Sequence, residues 1–199
     1  MIRRGGGEGY SLVEALLALA ILGLFLTVSV PAFGAALSRA RVAAAAREMA
    51  SEMARLRSDA IAMRRGVGWR FSTAGGRRQY AVYADGDGDG LRADDIASGR
   101  DPLLVAARDL PSRWEGIDFG LLDAAIPEVP PSSGVLAPGS DPVRFGSSDI
   151  VSFTPWGTAS SGTLYISDAR DSVFAVVLYG HTGRIRTWRF DRELWRWIR

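Results

Sequence analysis

The sixteen residues Ala15–Val30 carry no charge, and Glu14 is the one charged side chain between Leu12 and Pro31. That run limits the fold more than any other feature. It is too long for a single strand and reads as a helix. A helix that spans a bilayer needs about 20 mostly apolar residues. Tyr10–Val30 is just long enough, so a membrane-spanning segment is expected there. The nine residues before it, Met-Ile-Arg-Arg-Gly-Gly-Gly-Glu-Gly, are short, basic and glycine-rich, and are not expected to fold alone. A secretory signal would place a cleavage site after the apolar core, yet here a helical pattern continues. Glu14 is also out of place in such a signal, because an acid in lipid costs about 2.5–3.5 kcal/mol.

Gly9-Tyr10-Ser11-Leu12-Val13-Glu14 resembles the type IV prepilin signal: Gly, an aromatic, Ser or Thr, Leu, an aliphatic and Glu. The resemblance implies that a prepilin peptidase cuts between Gly9 and Tyr10 and that the new amine of Tyr10 is methylated. It also implies an assembly role for Glu14, whose carboxylate would pair with the Tyr10 amine of its own or a neighbouring subunit. The helix dipole favours an acid at that end in any case.

Pro31 and Gly34 are expected to break or kink the helix. Beyond them Val42, Ala46, Met49, Met53, Leu56, Ala60 and Met63 recur at spacings of four and three, an apolar stripe along one face. Arg39, Arg47, Glu48, Glu52, Arg55 and Asp59 fall opposite. After Gly66 the period becomes two: Val67, Trp69 and Phe71, a turn over Thr73–Arg77, then Tyr80–Ala84 read as a hairpin. Further strands are expected at Leu103–Ala107, Ile117–Phe119, Ile150–Phe153, Thr163–Ile166, Val173–Tyr179 and Arg184–Phe190, with 124–146 a Pro/Ser/Gly-rich loop. The expected class is α+β. A long N-terminal helix, transmembrane in its first half and amphipathic in its second, packs on antiparallel sheets in a pilin-like arrangement. The expected division is a leader at 1–9, a membrane and filament-core helix at 10–30, an amphipathic helix at 31–64 and a β-rich body at 65–199.

The C-terminal third adds to the resemblance. Phe153-Thr-Pro-Trp-Gly157, Gly162-Thr-Leu-Tyr-Ile166 and Gly183-Arg-Ile-Arg186 are similar, in that order, to the turn and closing strands of the GspH/FimT branch of minor pseudopilins.

Two clusters invite a ligand. Asp85-Gly-Asp-Gly-Asp-Gly90 imitates the start of an EF-hand loop, with acids at one, three and five and Gly at six. Its position twelve is Ile96, where a bidentate acid is needed. Asp94 and Asp95 are the substitutes, and Ca2+ is the ion such oxygen ligands suit. A solvated hairpin turn is the alternative. The tail Arg184–Arg199 holds six Arg, two acids and three Trp, so Arg184, Arg186 and Arg189 are candidate phosphate contacts for DNA. The alternative is a closing strand over Arg186, Trp188 and Phe190, with the tryptophans in a core or subunit interface.

Composition removes most catalysis. All 24 cations are arginine, and Lys, Asn and Cys are absent. There is therefore no Walker A lysine, Schiff base, thiol nucleophile or thiolate metal site. The one histidine, His181, sits in Gly-His-Thr-Gly between strands without a second base. The function that the prepilin-like signal at Gly9–Glu14 implies is assembly. The resemblance implies a minor pseudopilin of a type II secretion system, single-pass in a bacterial inner membrane with its body in the periplasm. Its implied partners are other pseudopilins, the prepilin peptidase, membrane lipid and the inner-membrane assembly platform. The alternative is a type IV pilus minor pilin serving adhesion or DNA uptake.

Overall fold

The computed structural model describes residues 11–199. Gly9, Tyr10 and the whole leader expectation lie outside the described residues. The chain divides into two compact units between Leu37 and Ser38. One helix, α1 (Leu12–Met63, 52 residues), supplies residues to both.

In the first unit Ser11 starts α1. Its hydroxyl accepts the Glu14 backbone N–H at 3.2 Å, and its carbonyl accepts that of Ala15 at 3.1 Å. This is N-capping, with Glu14 at the third helical position, where an acid also suits the helix dipole. The expected break is not seen, since α1 continues through Pro31 and Gly34. Leu12, Leu16, Leu19, Leu22, Phe25 and Phe33 are all exposed.

The expected membrane-spanning half is corrected here. Among the described residues no helix is long and apolar enough to cross a membrane. Between Glu14 and Thr27 there are twelve residues without a polar or charged side chain. At 1.5 Å each they reach about 18 Å, against a hydrocarbon core of about 30 Å. The expectation of a single-pass inner-membrane protein falls with it.

The second unit begins at Ser38 and is built on the rest of α1. Val42, Ala46, Met49, Met53, Leu56 and Ala60 are buried, as their spacing requires. Met63, the last of the stripe, is exposed. The chain then forms β1 (Val67–Ala74), β2 (Arg77–Ala84), α2 (Ala93–Ser98), β3 (Leu103–Asp109), β4 (Asp118–Phe119), β5 (Ile126–Pro127) and β6 (Val135–Leu136). It continues through β7 (Val143–Arg144), β8 (Ile150–Phe153), β9 (Gly162–Ser167), β10 (Val173–Tyr179), β11 (Arg184–Asp191) and β12 (Arg196–Ile198). Every strand pairing is antiparallel. One sheet has the order β3-β2-β1-β8. The second has β12-β11-β10-β9-β4, with β7 also on β9, and β5-β6 is a separate ribbon.

The second sheet is buried on both faces, and its alternation sorts side chains between two cores. Leu164, Ile166, Val176 and Leu178 join α1 and the first sheet around Trp69, Phe71, Tyr80 and Phe153. Tyr165, Val173, Ala175, Val177, Trp188, Phe190 and Trp197 turn the other way. They pack beneath Leu122, Ile126, Val129 and Leu136. The loop expected at 124–146 is thus partly strand and roofs a second core. The Trp197 indole N–H fastens it by donating to the Pro127 carbonyl at 2.7 Å.

At the start of this unit the Ser38 hydroxyl donates to Asp168 Oδ2 at 2.5 Å. Asp168 Oδ1 accepts the N–H groups of Arg170, Asp171 and Ser172. Burial raises the Asp168 pKa, but the Ser38 hydroxyl and the three N–H donors outweigh it and hold it below the usual value. A depressed carboxylate stabilises above its unfolded pKa and loses that contribution as pH falls through the folded one. At neutral pH Asp168→Ala is expected to cost about 1 kcal/mol, modest because the group is partly solvated. The gap from wild type should close below a pH of about 4 in acid titrations of urea stability. A gap independent of pH would show that the carboxylate charge is not involved.

Candidate functional site

The acidic loop leaves the end of β2 and is organised by two buried carboxylates. Asp85 and Asp101 are 7% and 1% exposed. Asp85 Oδ1 accepts the N–H of Asp87 and of Gly88, and its Oδ2 that of Gly90. Asp101 accepts the N–H of Gly86 at 3.0 Å and of Arg92 at 3.2 Å. Gly86 is required for contact, since a Cβ there would lie 1.9 Å from the Arg100 carbonyl oxygen.

The loop does bring together three of the five acids expected to bind an ion. Asp85, Asp87 and Asp89 each place an oxygen within 4.8 Å of the others. Asp94 and Asp95 are not in that group; both lie in the first turn of α2. Asp94 is exposed, and Asp95 binds Arg100 at 2.5 Å. Asp87 and Asp89 face arginines, Arg100 at 3.6 Å and Arg92 at 2.7 Å. The pKa of Asp89 is raised, by desolvation and then by the neighbouring Asp87 carboxyl.

Ca2+ takes six to eight oxygens. The three acids cover about half of that set, Asp85 is already engaged by the backbone, and two guanidiniums offset the charge. The loop therefore closes on its own hydrogen bonds. Millimolar Ca2+ is expected to leave the melting temperature unchanged; a saturable rise on Ca2+ titration would overturn that expectation.

The arginine strand is also sorted by the structure. By the period of two, Arg184, Arg186 and Trp188 occupy one face of β11 and Arg189 the other. Arg189 lies 3.8 Å from Asp191. Arg184 and Arg186 make no ion pair among the described residues, and Arg199 stacks on Trp188 with 4.6 Å to the ring centroid. Of the three candidate phosphate contacts, two share a face and the third does not. Arg199, which the sequence reading did not select, approaches that face through β12. The pairing of Phe190 with Trp197 sets this, placing Arg199 beside Trp188. That register is not written in the sequence.

The motifs near Gly157 and Gly183 meet at one side chain. Arg57, on α1, donates through Nε to the Gly157 carbonyl at 3.0 Å. Gly183 has φ +59°, and a Cβ on it would stand 2.4 Å from the Gly157 oxygen and 2.8 Å from Arg57 Nε. The turn so held presents Trp156, 89% exposed. His181 is an exposed residue of the β10–β11 turn.

Glu48 and Glu52, expected on the solvent face of α1, are half-buried. Glu48 accepts the Trp114 indole N–H at 2.9 Å and pairs with Arg113 at 2.6 Å. Glu52 pairs with Arg108 at 2.8 Å. Burial raises the Glu52 pKa against the opposing pull of Arg108. Glu48, Arg108, Arg113 and Trp114 line a cleft of about 370 Å3, in which Glu48 and Arg113 already satisfy each other. Glu52 fastens the helix to β3 through Arg108, and Glu48 fastens it to the segment after β3 through Arg113 and Trp114.

No protein-family model, curated protein or solved structure matches this chain.

Proposed function

We propose that the chain is a filament subunit, a minor pseudopilin of a type II protein secretion system that assists export of folded proteins. One observation carries this reading: α1 is used in two different ways. From Val42 to Ala60 the stripe of apolar side chains is buried in the β-rich unit, whereas Leu12, Leu16, Leu19, Leu22, Phe25, Phe33 and Leu37 are exposed. An uncovered apolar surface of this size marks an interaction site. Helices of neighbouring subunits are the partners that would cover it. The Gly9–Glu14 signal adds the prepilin peptidase as processing partner, with cleavage between Gly9 and Tyr10, methylation of Tyr10 and assembly through Glu14.

A second reading, a type IV pilus minor pilin serving adhesion or DNA uptake, is favoured by Arg184 and Arg186 standing on one face without acid partners among the described residues. Deleting the gene in its host separates the two. Loss of protein secretion with normal transformation is expected. Loss of transformation with intact secretion would select the second reading, and loss of neither would overturn both.

A further inference from the structure

The segment Asp85–Gly90 contains three Asp–Gly bonds, and among aspartyl linkages this one is the most open to one rearrangement. The glycine amide nitrogen attacks the Cγ of the preceding aspartate. A C–N bond forms and water leaves, taking the carboxyl oxygen, and a five-membered succinimide results. Water then adds back at either carbonyl and returns aspartate or isoaspartate, so the sequence consumes no other reagent. Glycine permits it because no Cβ hinders the approach.

In the folded chain all three attacking amides are occupied. The Gly86 N–H is held by Asp101 Oδ1 at 3.0 Å, that of Gly88 by Asp85 Oδ1 at 2.7 Å and that of Gly90 by Asp85 Oδ2 at 3.0 Å. In no case is the acceptor the aspartate that the amide would attack. Two of the glycines are also fixed at φ +91° and +93°. The acceptors, Asp85 and Asp101, are buried, while the second and third electrophiles, Asp87 and Asp89, are exposed.

We infer that this loop is a latent isoaspartate-forming site, held closed by Asp85 and Asp101. Rearrangement at Asp87 and Asp89 requires the loop to open first, and its rate reports that opening.

The test incubates the full chain in neutral buffer with and without urea. Isoaspartate is counted by methyl transfer from labelled S-adenosylmethionine with an isoaspartyl methyltransferase, and located by peptide mapping. Rearrangement at Asp87 and Asp89 is expected to be at least about tenfold slower in the folded chain, because only the locally open state reacts. Asp85→Ala that keeps the native circular dichroism is expected to accelerate rearrangement at Asp87 and Asp89, and Asp101→Ala at Asp85. Equal rates with and without urea would overturn the inference, as would a folded Asp85→Ala chain with unchanged rates. Should that variant unfold, the wild-type comparison in urea still decides.

Discussion

Replacing Trp69 by alanine is expected to remove about 3–5 kcal/mol of stability. Trp69 is fully buried on β1. Its ring meets Tyr80 edge-on with centroids 5.1 Å apart, and Phe71 at 6.1 Å. Phe71 and Tyr80 in turn abut Phe119, reached from the second sheet. The indole therefore lies at the start of an aromatic chain that joins both sheets beneath α1. A domain of this size is stable by about 5–15 kcal/mol, so the loss is a large fraction of the total. Urea unfolding followed by circular dichroism measures it. Trp69→Phe is the informative companion, because the Trp69 indole N–H has no hydrogen-bond partner among the described residues. Removing that unpaired donor offsets part of the lost volume, so this variant is expected to cost less than half as much. Equal losses for the two would mean that ring packing is not what Trp69 contributes.

The second large effect is on assembly. Leu19 and Leu22 are 64% and 55% exposed and share a helix face at a spacing of three. Changing both to arginine removes about 1.5–3 kcal/mol of burial per residue at any helix–helix contact. It also places cations where the proposed filament is dry. Assembly is expected to weaken by at least about a hundredfold, read by sedimentation of filaments. The melting temperature of the unit from Ser38 onward should stay the same, since neither residue belongs to its core. Filaments at wild-type yield would refute the proposed role of this face.

Much of the architecture was legible because period is a local property. The stripe from Val42 to Ala60, the Val67–Ala84 hairpin and the strands at Ile150–Phe153 and Val173–Tyr179 follow from spacings of three and four or of two. They appear where those spacings put them. Less legible were elements set by partners distant in sequence. β5, β6 and β7 are two residues each, too short for a period. β5 and β6 cover the far face of the second sheet with Ile126 and Leu136, whereas β7 pairs with β9 and adds Val143 to the first core. α2 is six residues long, and its own Asp95 and the following Asp101 are held by hydrogen bonds to Arg100, Gly86 and Arg92.

Candidate sites divide in the same way. The Asp-Gly alternation marked the right loop, and its resemblance to an ion-binding turn was a fair inference from spacing. Spacing did not reveal that Asp85 and Asp101 spend their oxygens on backbone N–H groups, or that Arg92 and Arg100 come to meet Asp89 and Asp87. Period two alone would have separated Arg189 from Arg184 and Arg186. Bringing Arg199 beside Trp188 took a strand pairing.

The sequence by itself determined the helix, its two kinds of surface and the alternation of the strands. Each is a matter of neighbours a few residues apart along the backbone. The tertiary structure decided which charges are satisfied and which remain available. An ion pair or a hydrogen bond acts over about 3–4 Å, and only the fold brings Ser38 to Asp168, Arg57 to Gly157 and Glu48 to Trp114 within that distance.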